Sequence, residues 1–257
     1  MTIVKLGGSF VSDKTVDFSF REKHVLELAK AMAASQERVV LVHGGGAFGH
    51  PMAKKYGLSS SKSRRSSEGV AETRGAMFDL NMRVCDVLSL AGLRPYTFSP
   101  YPLLGLSGER GSSWLRSLID SGLTPVTFGD VIYERGFRII SGDTISLELS
   151  KSLGAVRCIF VMDVDGVLDR RGRPISVLDK RTSKEMRMEG SSDATGGIGL
   201  KVVEAMKIAK LGTEVAFVSG FRSTEFAKAL KRQRFHGTIV KVPPRDQQDI
   251  GRKARVR

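Results

Sequence analysis

The chain is poor in cysteine. Its two cysteines, Cys85 and Cys158, lie far apart in apolar stretches, so they make no disulfide framework and read as buried free thiols of a reducing cytoplasm. No Cys/His spacing fits a metal cage. No run of eighteen apolar residues is present, which removes the usual signature of a membrane-crossing helix. The first apolar run begins at Ile3, and the expectation is that no signal peptide precedes it. Two familiar phosphate motifs are also missing. GxxxxGK[ST] occurs nowhere, and no GxGxxG turn is followed by a strand with an acidic residue, so a P-loop is excluded and a dinucleotide fold disfavoured. Acidic residues are in deficit, 27 against 41 Lys and Arg, for a formal charge of +14. That excess raises nucleic acid as a partner. However, residues 231–257 alone hold nine Lys and Arg against two Asp, and Lys62, Arg64 and Arg65 form a second knot. No aromatics interleave with these charges as a single-strand platform requires. The excess therefore reads as a solvated tail plus attraction for anionic substrates, and nucleic acid is not the expected partner.

What the chain does have is glycine placed at the ends of apolar runs. Residues 2–9 read TIVKLGGS and residues 38–50 read RVVLVHGGGAFGH. In each, a β-type run breaks into consecutive glycines, as when a buried strand delivers bare backbone N–H groups to the edge of an α/β sheet. Glycines permit close approach to phosphate oxygens, and successive N–H groups form an anion nest. Gly7 and Gly8 in the first turn, and Gly45 and Gly46 in the second, are the candidate donors, with Ser9 beside them. Alternation along the first run sets Lys5 on the face opposite Val4 and Leu6. A buried lysine needs an anionic partner. Lys14 lies just beyond, and His50 closes the second turn near a helix start, where it can donate to a phosphate oxygen.

Further runs alternate with helical patterns. The β-type runs are Arg94–Phe98, Val126–Phe128, Arg138–Ile140, Cys158–Met162, Glu214–Val218 and Thr238–Val242. The helical ones are Phe20–Ala34, Ser66–Leu90, Ser113–Ile119, Thr144–Leu153, Leu200–Leu211 and Thr224–Leu230. This alternation predicts an α/β fold, a three-layer αβα sandwich with a mostly parallel sheet. Residues 126–140, with YERGF in the middle, predict an inserted hairpin. Ligands of such sheets bind beyond the carboxyl ends of the strands. The glycine turns, SGD at 141–143, DVDG at 163–166 and SGF at 219–221 all follow strands and should line one edge together. Asp143 suits a helix N-cap and could also orient lysines. Asp163 could shape a turn or touch a nucleotide. In TGGIGLK (195–201), a lysine in the first turns of a helix is unfavourable unless an anion is present, so Gly197 and Lys201 again suggest phosphate.

KLGGS, HGGGAFGH, SGD, DVDGV and TGG-x-x-x-K, in this order, resemble the amino acid kinase superfamily over nearly the whole chain. Within it the pattern is most similar to the isopentenyl phosphate kinases, on KLGGSFVSDK with Lys14 and HGGGAFGHP with His50. Fosfomycin kinases share a similar histidine and stand nearest after them. Met162 before DVDG and Ala194 before TGG depart from the family's usual Thr and Val, and the basic tail has no counterpart. The resemblance implies ATP-dependent phosphorylation of isopentenyl phosphate in isoprenoid synthesis, typically by the archaeal variant of the mevalonate route, in a cytoplasmic homodimer. It implies a single domain with an acceptor-binding lobe (1–145) and an ATP-binding lobe (146–257), and Mg²⁺ held mainly by ATP phosphates and water. Lys5, Lys14, His50, Asp143 and Lys201 would be catalytic. Gly45, Gly142, Gly129 and Met77 would meet the acceptor, and Leu80 and Val84 follow Met77 at helical spacing as further pocket candidates. Lys5, Gly7, Gly8, Ser9, Gly46, Asp163, Gly197 and Lys201 would meet the nucleotide. The other class left open is a non-catalytic, RNA-associated protein.

Overall fold

The structure is a computed structural model that describes residues 1–58, 66–100, 109–134, 136–179, 181–182 and 198–241. Ten strands are found there: β1 (Thr2–Leu6), β2 (Val39–His43), β3 (Pro95–Thr97), β4 (Thr124–Phe128), β5 (Asp130–Tyr133), β6 (Phe137–Ile140), β7 (Arg157–Met162), β8 (Val177–Leu178), β9 (Glu214–Ser219) and β10 (Thr238–Val240). Eight of them form one sheet in the order β3-β4-β2-β1-β7-β9-β10-β8. It is parallel from β3 through β9, and β10 then runs antiparallel to β9. Every residue of β1, β2 and β4 is buried, as expected of strands covered on both faces.

Helices cover the two faces. On one lie α1 (Gly8–Val11), α2 (Glu22–Ser35), α3 (Gly46–Lys55), α4 (Ser67–Leu90) and α8 (Ser223–Leu230). They bury Phe10, Val25, Leu28, Phe48, Leu80, Val84 and Phe226 against Val4, Leu6 and Leu41. On the other lie α5 (Glu109–Asp120), α6 (Gly142–Leu153) and α7 (Ile198–Ala209). These bury Leu115, Ile145, Leu149, Val202 and Met206 against Ile3, Val40 and Phe160. The predicted three-layer sandwich is therefore present. Local sequence explains the helix ends. Ser66 accepts from the Gly69 N–H at 2.9 Å to start α4, and Gly154 closes α6 with φ 57°.

Two expectations need correction. Only β5 and β6 make the hairpin, because Thr124–Phe128 pairs with β2 and β3 inside the main sheet. And His50 is not at a turn but inside α3, which starts four residues earlier. The lobe boundary expected at 145/146 falls within α6, which packs on both β1 and β2. No helix among the described residues is long and apolar enough to cross a membrane.

Candidate active site

The strands β1, β2 and β7 end level: Leu6 is in register with His43 on one side and Val161 on the other. Each exit glycine then extends the ladder by one step. Gly7 donates its N–H to the Val161 carbonyl at 2.8 Å, Gly44 to Leu6 at 3.0 Å, Gly129 to His43 at 3.0 Å and Gly220 to Met162 at 2.7 Å. The two glycine turns also press backbone on backbone. A Cβ on Gly8 would lie 2.6 Å from the Gly46 nitrogen, and one on Gly44 2.9 Å from the Gly8 nitrogen. Gly46 additionally has φ +47°, a conformation that favours glycine. Packing between turns thus explains these glycines before any ligand is considered.

Above the strand ends is a cavity of about 990 Å³. It brings together Lys5, Gly7, Gly8, Ser9, Lys14, Gly45, His50, Met77, Gly129, Gly142, Asp143, Asp163 and Lys201. Thirteen of the expected site residues, from seven separate segments, meet on one wall system. Two of the expected glycine donors are engaged or covered by the fold itself. Gly7 reaches the cavity, but its N–H is already given to Val161. Gly46 is buried behind the wall against Ser12 and Gly8. Gly197 lies outside the described residues. The N–H groups of Gly8 and Gly45 have no acceptor among the described residues and remain as the turn donors. The Ser219–Phe221 turn is not part of the wall.

The cavity floor is an ion-paired triad. Lys5 Nζ stands 2.7 Å from Asp143 Oδ1, and Lys201 Nζ 2.9 Å from Asp143 Oδ2. Asp143 sits in the first turn of α6, where Ser141 supplies the cap by accepting from the Thr144 N–H. Burial by itself would raise the Asp143 carboxyl. The two ammonium groups reverse that and hold it at about 2. Burial, and then the charge of Lys5, lowers the Lys201 ammonium from its ordinary value. Lys5 is 4% exposed, which β1 forces by being buried along its length.

The walls differ from the floor. Lys14 is exposed and pairs with no carboxylate among the described residues. His50 is exposed too. Desolvation by the cavity walls lowers its pKa, and the charges of Lys14, Lys5 and Lys201 lower it further. Ser9 donates to Asp163 Oδ1 at 3.0 Å across another part of the wall. His43, wholly buried under the second turn, is pushed down by burial to about 4 and stacks on Phe128.

Part of the lining is apolar: Ala53, Met77, Val131, Ile139 and Ile140 line the cavity, with Asp130 beside Val131 and Thr73 one helical turn before Met77. Met77 also fills the space beside Gly45 and Gly49, where a Cβ would come 3.2 and 2.5 Å from its sulfur. Leu80 and Val84, grouped with Met77 by spacing, instead belong to the core under the sheet. The stripe that faces the cavity is Thr73–Met77. Spacing alone could not tell which turn of α4 leaves the sheet and enters the cavity. Among the described residues no three His, Cys, Asp or Glu side chains converge as a metal cage.

The family model described as the amino acid kinase family matches residues 1–219. The isopentenyl phosphate kinase of Thermoplasma acidophilum is 30% identical over 246 residues, covering 94% of this chain and all of that protein. That of Haloferax volcanii is 36% identical over 213 residues, covering 79% and 86%. The crystal structure of the T. acidophilum enzyme in its product complex superposes with a TM-score of 0.75 at 28% identity, covering 94% of this chain and 100% of that one.

Proposed function

Since the chain belongs to the amino acid kinase family, a group of phosphotransferases, we propose that it transfers the γ-phosphoryl group of ATP to isopentenyl phosphate and releases isopentenyl diphosphate. One observation carries this reading: a cavity with a Lys5–Asp143–Lys201 floor, His50 and Lys14 on its walls, and an apolar part at Met77 and Val131. Such a cavity suits two phosphates and a short hydrocarbon tail. The similarity to isopentenyl phosphate kinases over nearly the whole chain supports the same substrate.

The attacking atom is already an ionised phosphate oxygen, so no strong general base is needed. The obstacle is repulsion between two anions, and positioning with charge stabilisation supplies the catalysis. Asp143 keeps Lys5 and Lys201 at fixed places, and their positive charge is ready before the substrate arrives. Lys14 brings a cation that no carboxylate among the described residues engages, for the charge that develops in transfer. His50 donates an N–H to the acceptor phosphate, a role that either protonation state of the imidazole can fill. The Gly8 and Gly45 amides add fixed dipoles. In this reading residues 1–145 serve mainly the acceptor and 146–257 mainly the nucleotide, with Ser9 reaching across to Asp163 on the nucleotide side. Mg²⁺ would be held mainly by ATP phosphates and water and would offset the phosphate charge. A homodimer and the alternative mevalonate route belong to the same reading.

The test is a coupled assay of ATP turnover with isopentenyl phosphate, dimethylallyl phosphate, fosfomycin, UMP and acetylglutamate side by side. Isopentenyl phosphate should have the highest kcat/KM by a wide margin over fosfomycin, UMP and acetylglutamate. Preferred turnover of fosfomycin or UMP would replace the substrate assignment.

A further inference from the structure

Lys14 pairs with no carboxylate among the described residues, yet the segment that carries it is tightly tied. Between α1 and α2, Asp13 Oδ1 accepts from the Thr15 N–H at 3.0 Å and from its hydroxyl at 2.7 Å. The Ser19 hydroxyl accepts from the Asp13 N–H at 2.8 Å and donates to the Asp13 carbonyl at 2.7 Å. The Phe18 N–H donates to the Ala47 carbonyl, and its ring meets Phe48 edge-on. Lys14 thus takes its place from Asp13, and the ion-pair partner of Asp13 among the described residues is Arg21.

Arg21 joins three pieces of the molecule. Its Nη1 donates to the Ser9 carbonyl at 2.8 Å, and its Nη2 lies 3.4 Å from Asp13 Oδ2. Its guanidinium carbon sits 5.3 Å from the centroid of the Phe221 ring. Phe221 is anchored in turn. It meets Phe10 edge-on at 5.7 Å and His24 at 4.9 Å, and Gly220 beside it leaves no room for a Cβ, which would fall 2.2 Å from the Phe10 ring. The Ser219–Phe221 turn, absent from the cavity wall, is therefore a platform under Arg21. Ser9, whose carbonyl Arg21 holds, sends its hydroxyl to Asp163 on the nucleotide side. One guanidinium so relates the Lys14 segment to the first glycine turn.

We propose that Arg21 is a positioning residue for phosphoryl transfer: by bridging the Ser9 carbonyl and the Asp13 carboxylate on the face of Phe221, it sets the Lys14 ammonium over the cavity. This rests on the role given to Lys14 above. Arginine suits the task because its planar fork reaches two acceptors while stacking on a ring, which a lysine cannot reproduce. A half-exposed ion pair contributes little to stability, whereas a small misplacement of a catalytic group can be costly in rate. The two roles therefore separate experimentally.

The experiment is a double-mutant cycle on the full chain, with Arg21→Met, Lys14→Ala and the pair, following radiolabelled phosphoryl transfer from ATP to isopentenyl phosphate so that residual turnover is measurable. Arg21→Met should lower kcat about 10-fold, with both KM values within about twofold. In the Lys14→Ala background the same change should cost no more than about twofold, because the group it positions is gone. Arg21→Lys should recover part of the loss, and melting temperatures should move little. An equal fold-loss in both backgrounds, or an unchanged kcat in Arg21→Met, would overturn the proposal. Should Arg21→Met fail to fold, Arg21→Lys completes the cycle with the same two criteria. A Lys14→Ala variant with native kcat would instead refute the Lys14 role itself and this inference with it, and that result is visible in the single variant.

Discussion

The floor and the walls of the cavity carry the same charge by opposite means. On the floor, Lys5 and Lys201 share one carboxylate and are nearly sealed from water. On the walls, Lys14 and His50 are exposed, with no carboxylate on either among the described residues. A buried lysine without a counter-charge would lose its proton, so the floor needs Asp143 to keep its cations. An exposed lysine keeps its charge through water. What the difference teaches is a division of labour. The floor is preorganised and holds its geometry without substrate. The walls keep their groups open to solvent, which in the proposed reaction leaves them for the incoming phosphates.

The largest expected effect comes from breaking the floor. Asp143→Asn keeps the shape but strands two ammonium groups together. It should lower kcat/KM by on the order of 10³ or more, the scale of losing a preorganised electrostatic element, and lower the melting temperature, since breaking a buried pair costs about 3–5 kcal/mol. The acid side gives a sign check. The Asp143 carboxyl is lowered from 3.8 to about 2 in the fold, so its stabilisation is complete above 3.8 and is lost as pH falls toward 2. Thermal unfolding from pH 5 to 2 should show this loss in the native chain and a weaker one in the variant. Equal acid sensitivity would mean that the triad is not a stabilising unit.

The walls should respond in rate alone. Lys14→Ala should cut kcat on the order of 10²–10³ with a modest change in the KM for ATP, because it acts on charge developing in transfer. Lys201→Ala should move both parameters. His50→Ala should cost a similar 10²–10³ in kcat/KM, and His50→Gln, which still presents an N–H, should regain part of it. Neither wall variant should shift the melting temperature appreciably, and activity loss that merely tracked stability would erase the contrast with the floor.

A smaller effect is expected at the apolar part of the lining. Met77→Ala should raise the relative use of longer prenyl monophosphates about 10-fold, as room for a methylene is worth ~1–3 kcal/mol in discrimination. Because Met77 also packs on Gly45 and Gly49, the melting temperature must be read alongside the chain-length profile. An unchanged profile in a folded variant returns Met77 to ordinary core. The smallest effect concerns His50 itself. Lys14 is the leading charge that depresses its pKa after desolvation, so Lys14→Ala should raise it toward the ordinary value in an NMR titration. A fixed value would show that the two wall groups do not sense each other.

Much of this was legible before folding. Apolar runs of period two and helical stripes predicted the sandwich, and strand-end glycines with lysines beside them pointed to the sheet edge where the cavity opens. Those signals are local, so a single chain carries them. What failed was of another kind. The amides of Gly7 and Gly46 were offered to phosphate, yet one continues the ladder to Val161 and the other is packed behind the wall. Leu80 and Val84 were grouped with Met77, yet α4 turns only its earlier residues, Thr73 and Met77, to the cavity. His50 belongs to a helix that Gly-rich composition and Pro51 disguised. Each error concerns which neighbour a group meets, and local pattern is silent on that.

By itself, then, the sequence determined the layers, the edge of the sheet where the cavity opens and the inventory of lysines, His50 and carboxylates, because burial and backbone freedom are properties of short segments. Only the tertiary structure decided that Asp143 lies between Lys5 and Lys201, that the glycine exits are stitched strand to strand, and that Arg21 rests on Phe221 while holding Ser9 and Asp13. Those pairings join residues distant in sequence through the register of β1 with β2 and β7, and register is settled by the packing of the whole core.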